Sequence, residues 1–464
     1  MVNRKRKEKK DMMKRKNRII ALLTAAVIVL AGVYLAPSRG AAEADSGTAS
    51  PAEKAGLTLE RVVVLSRHNI RSPLSGGGSL LGEITPHSWF AWTSNPSELS
   101  LRGALLETTM GQYFRLWMEK EGLFPVNYQP ENQAVRFYAN AKQRTLATAR
   151  YFSAGLLPVA EVPIESHAPY DTMDATFNPV LHFATEEYVR DVEAQVAEKG
   201  GIAGLRGIHA KLQGAISLLM DVTDMEQSEA YRAGTLGDLL SDPTSLVLEA
   251  GKEPGTKSPI KTATSVADAL TLQYYEEPDE VKAAFGHQLT LADWQEIHSI
   301  VDTYSDMLFT APLVSVNAAH PLLQVIRSEL TAEGRKFSFL CGHDSNLASV
   351  LSAMGVEEYL LEDAVEQHTP IGAKLVFARW TDAKGQGYYQ VRLVYQTPQQ
   401  LRAITPLSLE TPPSEYTLHF AGANETADGM IPEEELLAVL DKAIGEYDVL
   451  LERYEVEQEL ENAA

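Results

Sequence analysis

A histidine with an arginine on either side follows an apolar stretch and precedes a proline. Residues 62–74 read VVVLSRHNIRSPL, so that Arg67 and Arg71 flank His68. Guanidinium groups repel one another and also a protonated imidazole, unless an anion lies between them. We therefore expect this segment to bind an anionic group.

Two other segments carry similar side chains just after a predicted strand. Arg144 follows a strand predicted over 134–140, and His343 and Asp344 follow one predicted over 335–342. In an open α/β sheet, ligands bind beyond the carboxyl ends of the strands. The three segments are therefore predicted to converge on one site.

A phosphate monoester is the anion that this set of side chains fits. Arginine forks bind phosphate oxygens bidentately, so Arg67, Arg71 and Arg144 could surround the phosphoryl group. The helix that is predicted to begin near residue 142 would add its positive amino end. His343, if protonated, would be a fourth donor.

Phosphoryl transfer needs a nucleophile and a proton donor as well as fixed cations. The neighbouring arginines should keep His68 neutral by lowering its pKa, so that its imidazole nitrogen could attack phosphorus and form a phosphohistidine. Asp344 could protonate the departing alkoxide and later activate water. We expect no metal and no cofactor, because the arginines supply the positive charge.

Strand and helix patterns alternate along the chain and must position these residues. Strands are predicted over 61–66, 134–140, 335–342, 373–380 and 388–396, and helices over 98–122, 141–158, 345–355 and 433–460. Residues 178–311 are mostly helical in pattern, with Gly/Pro breaks. We predict an α/β fold, with a layered mixed sheet flanked by helices and an inserted, mainly helical cap.

The domain boundaries follow from this pattern. Residues 57–177 and 312–464 form the predicted discontinuous α/β domain, and residues 178–311 form the predicted cap. Residues 45–56, which are small and polar, are interpreted as a linker.

The charge of the chain is unevenly distributed. The whole chain of 464 residues carries −21, whereas residues 1–44 hold eleven basic and three acidic residues and so carry +8, which leaves −29 for the rest. An acidic body argues against general binding to nucleic acid or to anionic membranes. A small-molecule phosphate ester is the expected partner, and oligomerisation is left open.

The amino-terminal segment predicts export. A basic stretch precedes eighteen uncharged residues at 19–36, and Ala42-Glu43-Ala44 fits a small-x-small cleavage signal. Eighteen apolar residues also approach the length of a membrane span, so residues 1–44 are either a signal peptide or a membrane anchor. Both alternatives place the body in the periplasm or elsewhere outside the cytoplasm.

Cysteine and histidine usage excludes two kinds of stabilising site. Cys341 is the only cysteine, so no intramolecular disulfide forms, and the eleven histidines are scattered without close pairs. A structural zinc site is not expected.

The motifs named above resemble those of a known family. RHNIRSP is similar to the RHxxRxP signature of the histidine acid phosphatases, and GHDSN to that family's second motif. The resemblance implies the histidine phosphatase (phosphoglycerate-mutase-like) fold, with His68 as nucleophile and Asp344 as proton donor. It also implies that phosphate is bound by four residues: Arg67, Arg71, Arg144 and His343.

Longer segments resemble one branch of the family, the bacterial periplasmic glucose-1-phosphatases. These include TMDATFNPV, ALTLQYYE, TPIGAKLVFARW and VYQTPQQLR. The related phytases usually carry glycine where Asn69 stands, which favours the glucose-1-phosphatase branch. In that branch a glutamate before Pro-Gly contacts the sugar, which implies this role for Glu253; an exposed loop acid is the alternative. Unlike the family members with disulfides, this chain has one cysteine.

Three functions remain open on the sequence. The first is an exported phosphatase for sugar phosphates, glucose 1-phosphate above all, and the second is a phytase-type enzyme for inositol phosphates. The third is a catalytically inactive module that binds a phosphate ligand. Basic residues near the expected mouth are few (Arg102, Lys252 and Lys257), which favours the smaller substrate. An acidic pH optimum is expected, because Asp344 must carry a proton when the leaving group departs.

Overall fold

The computed structural model describes residues 56–74, 80–131, 133–241, 244–426 and 428–456. The expected signal peptide or anchor at 1–44, and nearly all of the linker, lie outside these residues. The carboxyl-terminal helix predicted over 433–460 is described as far as residue 456.

Ten strands are present in the described residues. They are β1 (Thr58–Arg67), β2 (Val135–Ala139), β3 (Ile164–Glu165), β4 (Ser245–Val247), β5 (Gly255–Lys257), β6 (Phe337–Gly342), β7 (Lys374–Thr381), β8 (Gly387–Tyr395), β9 (Ser414–Thr417) and β10 (Ile431–Pro432). Eight of them form one mixed sheet in the order β10-β8-β7-β1-β6-β2-β3, with β9 paired to β8. The other two, β4 and β5, form a separate antiparallel pair.

Fourteen α-helices are present in the same residues. They are α1 (Leu80–Glu83), α2 (Leu101–Lys120), α3 (Gln143–Leu156), α4 (Glu186–Glu198), α5 (Leu205–Lys211), α6 (Gln213–Val222), α7 (Glu229–Arg232), α8 (Pro259–Glu276), α9 (Glu280–Ala283), α10 (Leu291–Phe309), α11 (Pro312–Thr331), α12 (Asp344–Ala353), α13 (Pro398–Ala403) and α14 (Glu433–Arg453). The predicted strands and helices all occur, with ends that differ by a few residues.

Alternation along the central strands builds a layer of helices on each face of the sheet. In β1, Val62 and Val64 face a core shared with α2 and α3, whereas Val63 and Leu65 face a core shared with α11, α12 and α14. Successive strand residues point to opposite faces, so an apolar run such as Val62–Leu65 must be covered on both sides. The layered α/β fold predicted from the sequence is confirmed.

Helices α2 and α3 lie against each other through two glycines. A Cβ added at Gly111 would overlap the carbonyl oxygen of Phe152, and one added at Gly155 would overlap that of Thr108. The absence of side chains at these positions lets the two backbones approach closely. This contact lies in the last turn of α3, at the opposite end of the helix from Arg144.

Residues 178–311 contain helices α4 to α10 and the β4–β5 pair. Their apolar side chains, among them Val192, Ile216, Leu270 and Ile297, share one buried cluster. The separation of this segment as a cap domain stays a prediction.

No single helix in the described residues is long and apolar enough to cross a membrane. Only the pair Leu291–Phe309 and Pro312–Thr331, which meet at 82°, reaches that length and composition when taken together.

Candidate active site

The three predicted segments meet at one edge of the sheet, because β1, β6 and β2 are parallel neighbours. Cys341 of β6 lies opposite Ser66 of β1 and Ala139 of β2 in the register of the strands. Just beyond these positions, the His68 amide donates to the carbonyl oxygen of Gly342 at 3.1 Å, and the Asn140 amide donates to that of Cys341 at 2.9 Å. The strand ends are thus tied to one another by backbone hydrogen bonds.

His68 is buried, and its tautomer follows from its own loop. Nδ1 lies 2.9 Å from the carbonyl oxygen of Asn69. A carbonyl only accepts, so Nδ1 carries the proton and Nε2 keeps its lone pair. Burial, and then the positive charge of Arg144, hold the pKa of His68 well below its usual value of 6.5. The imidazole is therefore neutral, as the sequence predicted.

Arg67 is held by two oxygen acceptors. Its Nη1 donates to the carbonyl oxygen of Thr369, and its Nη2 lies 3.4 Å from the carboxylate of Asp344. Burial alone would lower the pKa of Arg67, but Asp344 and the buried Glu366 raise it overall. The guanidinium stays charged and its plane is fixed.

Arg71 has a carboxylate partner on a distant helix. Its Nη2 donates to both oxygens of Asp268 in α8, at 3.2 and 3.1 Å. Asp268 was not among the residues predicted from the sequence, because a helical pattern does not indicate which distant residue an aspartate within it will pair with.

Arg144 occupies the first turn of α3, as the sequence predicted. Its Nη2 lies 3.4 Å from Nδ1 of His343. Burial, and then repulsion from Arg71, lower the pKa of Arg144 to about 10. An anion between these guanidinium groups would relieve their repulsion.

The sequence left open whether His343 is protonated. Burial, and then Arg144, hold the pKa of His343 well below 6.5, so the ring is neutral. Its Nε2 lies 2.7 Å from Nδ2 of Asn140. A neutral imidazole still has one N–H group to donate.

Asp344 begins helix α12 and keeps 39% of its side chain exposed. Burial opposes ionisation, but Arg67, His343 and Arg71 outweigh it, and the amide of Ser345 donates to the carboxylate at 3.0 Å. Together they lower the pKa of Asp344 to about 2. Asp344 is therefore ionised in the free site at any ordinary pH.

Glu253 lies within electrostatic reach of the same residues. Crowding by protein atoms raises the pKa of its carboxyl group, the charge of Asp344 raises it further, and Arg144 lowers it. Its side chain is exposed. Of the basic residues expected near the mouth, Arg102 instead donates to the carbonyl oxygens of Leu401 and Arg402.

A fully buried ion pair lies beneath the His68 loop and was missed by the sequence analysis. Oε1 of Glu107 accepts from Nζ of Lys374 at 2.8 Å and from Nδ2 of Asn69 at 2.7 Å, and the two charged side chains have no exposed surface. Lys374 also donates to the carbonyl oxygen of Gly372, whose amide donates to that of His68. In the sequence, the one indication of this ion pair was a lysine, Lys374, within an apolar strand pattern.

The site therefore combines a neutral imidazole that can act as a nucleophile with arginine cations and a carboxylate. Burial is the largest cause of the low pKa of His68, and the positive charges of Arg144, Arg71 and Arg67 lower it further. Such a set binds a phosphate dianion and stabilises charge that develops on its oxygens.

Comparison with known proteins agrees with this chemistry. The histidine phosphatase superfamily (branch 2) domain matches residues 58–188 and 265–396. The chain belongs to this family. The match includes His68, the three arginines, His343 and Asp344, but not Glu253.

Two curated relatives share most of their length with this histidine phosphatase. The glucose-1-phosphatase of Providencia rettgeri is 37% identical over 402 residues, which cover 85% of this chain and 94% of the relative. Phytase AppA of Escherichia coli is 30% identical over 396 residues, covering 81% and 89%. The chain is a phosphoric monoester hydrolase, as predicted.

Among solved structures, the apo form of the Hafnia alvei phytase superposes with a TM-score of 0.76 at 27% identity. The alignment covers 85% of this chain and 98% of that phytase. The predicted histidine phosphatase fold is confirmed.

Proposed function

We propose that this histidine phosphatase hydrolyses sugar phosphate monoesters, glucose 1-phosphate above all, through a phosphohistidine on His68. The observation that carries this proposal is a buried His68 whose Nδ1 is bound to the carbonyl oxygen of Asn69 and whose pKa is lowered by burial and by the charges of Arg144, Arg71 and Arg67. Glu253 near Asp344 supports a contact with sugar hydroxyls.

In the first half-reaction the phosphoryl group moves from the ester to His68. The lone pair on Nε2 attacks phosphorus, a P–N bond forms and the P–O bond to the sugar breaks. Arg67, Arg71 and Arg144 bind the non-bridging oxygens and stabilise their charge throughout. The leaving oxygen takes a proton from Asp344, so the sugar departs as an alcohol.

In the second half-reaction water removes the phosphoryl group. The Asp344 carboxylate takes one proton from water as its oxygen attacks phosphorus. The P–N bond then breaks and its electron pair returns to Nε2, which releases inorganic phosphate and restores neutral His68.

The proton on Asp344 has to arrive with the substrate. Because the pKa of Asp344 is lowered to about 2, the free site holds the carboxylate ionised. A phosphate monoester has a second pKa of about 6, so its monoanion carries one proton at acidic pH. Once the phosphoryl charge neutralises the arginines, that proton can pass to Asp344 and then to the leaving oxygen.

A phytase-type activity on inositol phosphates is the second candidate. Its support is the 0.76 TM-score to the Hafnia alvei phytase, whose structure is also known with myo-inositol hexakis sulphate. A highly phosphorylated substrate needs many cations around the mouth. Arg102 is engaged with backbone oxygens and Lys252 pairs with Glu249, which favours the smaller ester.

A substrate panel tests the choice between these two esters. Purified protein is assayed with glucose 1-phosphate, other sugar phosphates and phytate at equal concentration, and we expect the highest kcat/KM for glucose 1-phosphate. A phytate rate far above the sugar phosphate rates would reverse the order. Glu253→Gln should raise KM for glucose 1-phosphate and leave a chromogenic phosphate ester unaffected.

Two variants test the mechanism and the inactive-binder alternative. His68→Ala should abolish the release of phosphate from a chromogenic ester. The acid-sensitive phosphate label that the unmutated protein retains on an imidazole after quenching should also be absent from this variant. Asp344→Asn should slow poor leaving groups most, because they need the proton most. The control is His419→Ala, which removes a half-exposed histidine paired with Glu425. An unmutated protein without turnover would support a binding module.

We also propose that the enzyme acts outside the cytoplasm. The support is the basic and apolar segment at 1–36 followed by Ala42-Glu43-Ala44. Cell fractionation and the mass of the mature chain test this proposal, and an intact cytoplasmic protein would contradict it.

A further inference from the structure

The ring of His343 makes its shorter side-chain hydrogen bond with Asn140, just beyond the end of β2. Nδ2 of Asn140 lies 2.7 Å from Nε2 of His343, and both residues are buried. A contact of this length between two nitrogens is a hydrogen bond only if one nitrogen donates and the other accepts.

The orientation of the Asn140 amide is fixed from its other side. Its Oδ1 accepts from the backbone amide of Asp174 at 2.9 Å. Because a backbone N–H only donates, the atom facing it must be the oxygen. A flipped amide would set the NH₂ group against that N–H, with two donors and no acceptor. Nδ2 also lies 3.3 Å from Sδ of Met173, an acceptor.

Asp174 is itself immobilised, so the anchor is rigid. Its carboxylate accepts from the hydroxyl of Tyr138 at 2.8 Å, from the amide of His167 at 2.8 Å and from the amide of Thr176 at 3.0 Å. The residue has 1% of its surface exposed. The amide of Asn140 therefore has one arrangement that satisfies every partner.

It follows that Nε2 of His343 accepts a hydrogen bond and carries no proton. In a neutral imidazole the proton then lies on Nδ1. Nδ1 is 3.4 Å from Nη2 of Arg144, which can only donate, so Arg144 and Asn140 compete for the one lone pair of the neutral ring, and the shorter 2.7 Å contact with Asn140 prevails. The Nδ1–H group then lies on the side of the ring where the arginines are. Burial and Arg144 lower the pKa of His343, which keeps the ring in this neutral form.

We propose that Asn140 is a positioning residue that fixes His343 as the neutral Nδ1–H tautomer, so that this N–H donates to a phosphate oxygen. The inference deepens the proposed function and rests on phosphate binding at that site. Its consequence is a donor that adds no fourth positive charge beside His68. A cationic His343 would lower the basicity of the nucleophile further, whereas the neutral donor does not.

Nitrogen-15 NMR of the unmutated protein tests the tautomer directly. Labelled histidine, with the signal assigned by comparison with His343→Gln, should show protonated Nδ1 and unprotonated Nε2 between pH 5 and 8. A protonated Nε2, or an imidazolium at pH 6, would overturn the proposal. This measurement needs no turnover, and the variant serves only to assign the signal.

Asn140→Asp tests the functional consequence. An ionised carboxylate only accepts hydrogen bonds, so Nε2 of His343 must then carry a proton. The ring is either neutral, with a lone pair on Nδ1, or a doubly protonated imidazolium. Relative to the unmutated protein at the same pH, we expect the inhibition constant of inorganic phosphate to rise about tenfold at pH 8. At pH 5 the new carboxylate favours the imidazolium form of His343. The inhibition constant should then return towards the value of the unmutated protein.

A matched control separates this effect from the introduction of a buried carboxylate. Asn317 is also fully buried, its Oδ1 accepts from the amide of His182 at 2.7 Å and its Nδ2 donates to the carbonyl oxygen of Phe183 at 3.0 Å. Asn317→Asp should destabilise the fold without a new pH dependence of phosphate inhibition. Equal behaviour of the two variants would overturn the proposal.

The two proposals fail in different ways. If His68→Ala retains turnover, the phosphohistidine mechanism fails, while the NMR result for His343 stands. If His343 shows the other tautomer while His68→Ala is inactive, only the role of Asn140 fails.

Discussion

The rings of His68 and His343 lie edge to face, with centroids 5.5 Å apart and planes at 73°. Both are neutral and both carry the proton on Nδ1, but they face the shared space with opposite atoms. His68 offers the lone pair of Nε2, because its Nδ1 donates to Asn69. His343 offers the Nδ1–H group, because its Nε2 accepts from Asn140. Two identical side chains thus become a nucleophile and a donor through their hydrogen-bond partners.

The pH dependence of kcat/KM should follow the ionisation of the substrate. Asp344 has a pKa lowered to about 2, so the reactive proton enters with the ester monoanion. Above a second pKa of about 6, kcat/KM should fall about tenfold per pH unit. On the acid side, protonation of His68 limits the rate only well below pH 6.5.

Two esters whose second pKa values differ by about one unit provide the measurement. The alkaline break in kcat/KM should move by the same amount as the substrate pKa. A break at one fixed pH for both esters would assign it to a group on the enzyme and contradict delivery of the proton by the substrate.

Asp268→Ala should weaken phosphate binding. Asp268 holds Arg71 through both carboxylate oxygens and balances its repulsion from Arg144. Without it Arg71 loses its fixed direction, and the inhibition constant of phosphate should rise about tenfold, which corresponds to a charged hydrogen bond. Asp191→Ala, which removes the exposed partner of Arg453, is the control. A lower inhibition constant would mean that repulsion between Asp268 and phosphate weakens binding more than the orientation of Arg71 by Asp268 strengthens it.

Glu107→Gln and Lys374→Met should each destabilise the fold strongly. The pair has no exposed surface, so removing one partner leaves a buried charge without compensation and costs about 3–5 kcal/mol. The double variant should lose less than the sum of the single losses. Urea denaturation measures the free energies, and Asp441→Ala at the exposed pair with Arg327 should change stability by less than about 1 kcal/mol. Additive losses would show that the two charges do not interact.

Asp302→Asn should stabilise the protein at neutral and alkaline pH. Burial raises the pKa of Asp302 from 3.8 to about 7. Between these values the unfolded chain ionises while the folded protein stays protonated, so the unmutated protein loses stability as pH rises. The amide avoids this loss, which is about 2–4 kcal/mol above pH 7.

Thermal unfolding of both proteins at pH 4 and pH 8 checks this expectation. The gain in Tm from Asp302→Asn should be small at pH 4 and large at pH 8. Asp306→Asn, one turn further along the same helix and more exposed, should show no such increase. An equal gain in Tm at both pH values would show that the effect comes from packing and not from the ionisation of Asp302.

The order of the chemical groups along the chain was readable from the sequence, and so was the fold around them. Apolar runs such as Val62–Leu65 require a sheet covered on both faces, and parallel strands bring their carboxyl ends to one edge. These two rules place His68, Arg144 and His343 in one region. The arginines indicated the direction of the pKa shift of His68, whereas burial, its largest cause, depends on the fold.

The sequence left the charge of His343 open. Its surroundings come from Arg144 and from Asn140, about 200 residues earlier in the chain, and burial removes the solvent that would stabilise a charge. Burial and distant neighbours are not visible in a local pattern.

Sequence alone determined which functional groups the protein carries and which strand ends present them, because side-chain periodicity dictates the layers. Tertiary structure decided the tautomers of the two imidazoles, the carboxylate that holds Arg71 and the ion pair beneath Asn69. Apart from the carbonyl of Asn69 beside His68, each of these depends on the direction of a hydrogen bond with a residue far along the chain. Such directions are set only when packing brings the partners within about 3 Å of each other.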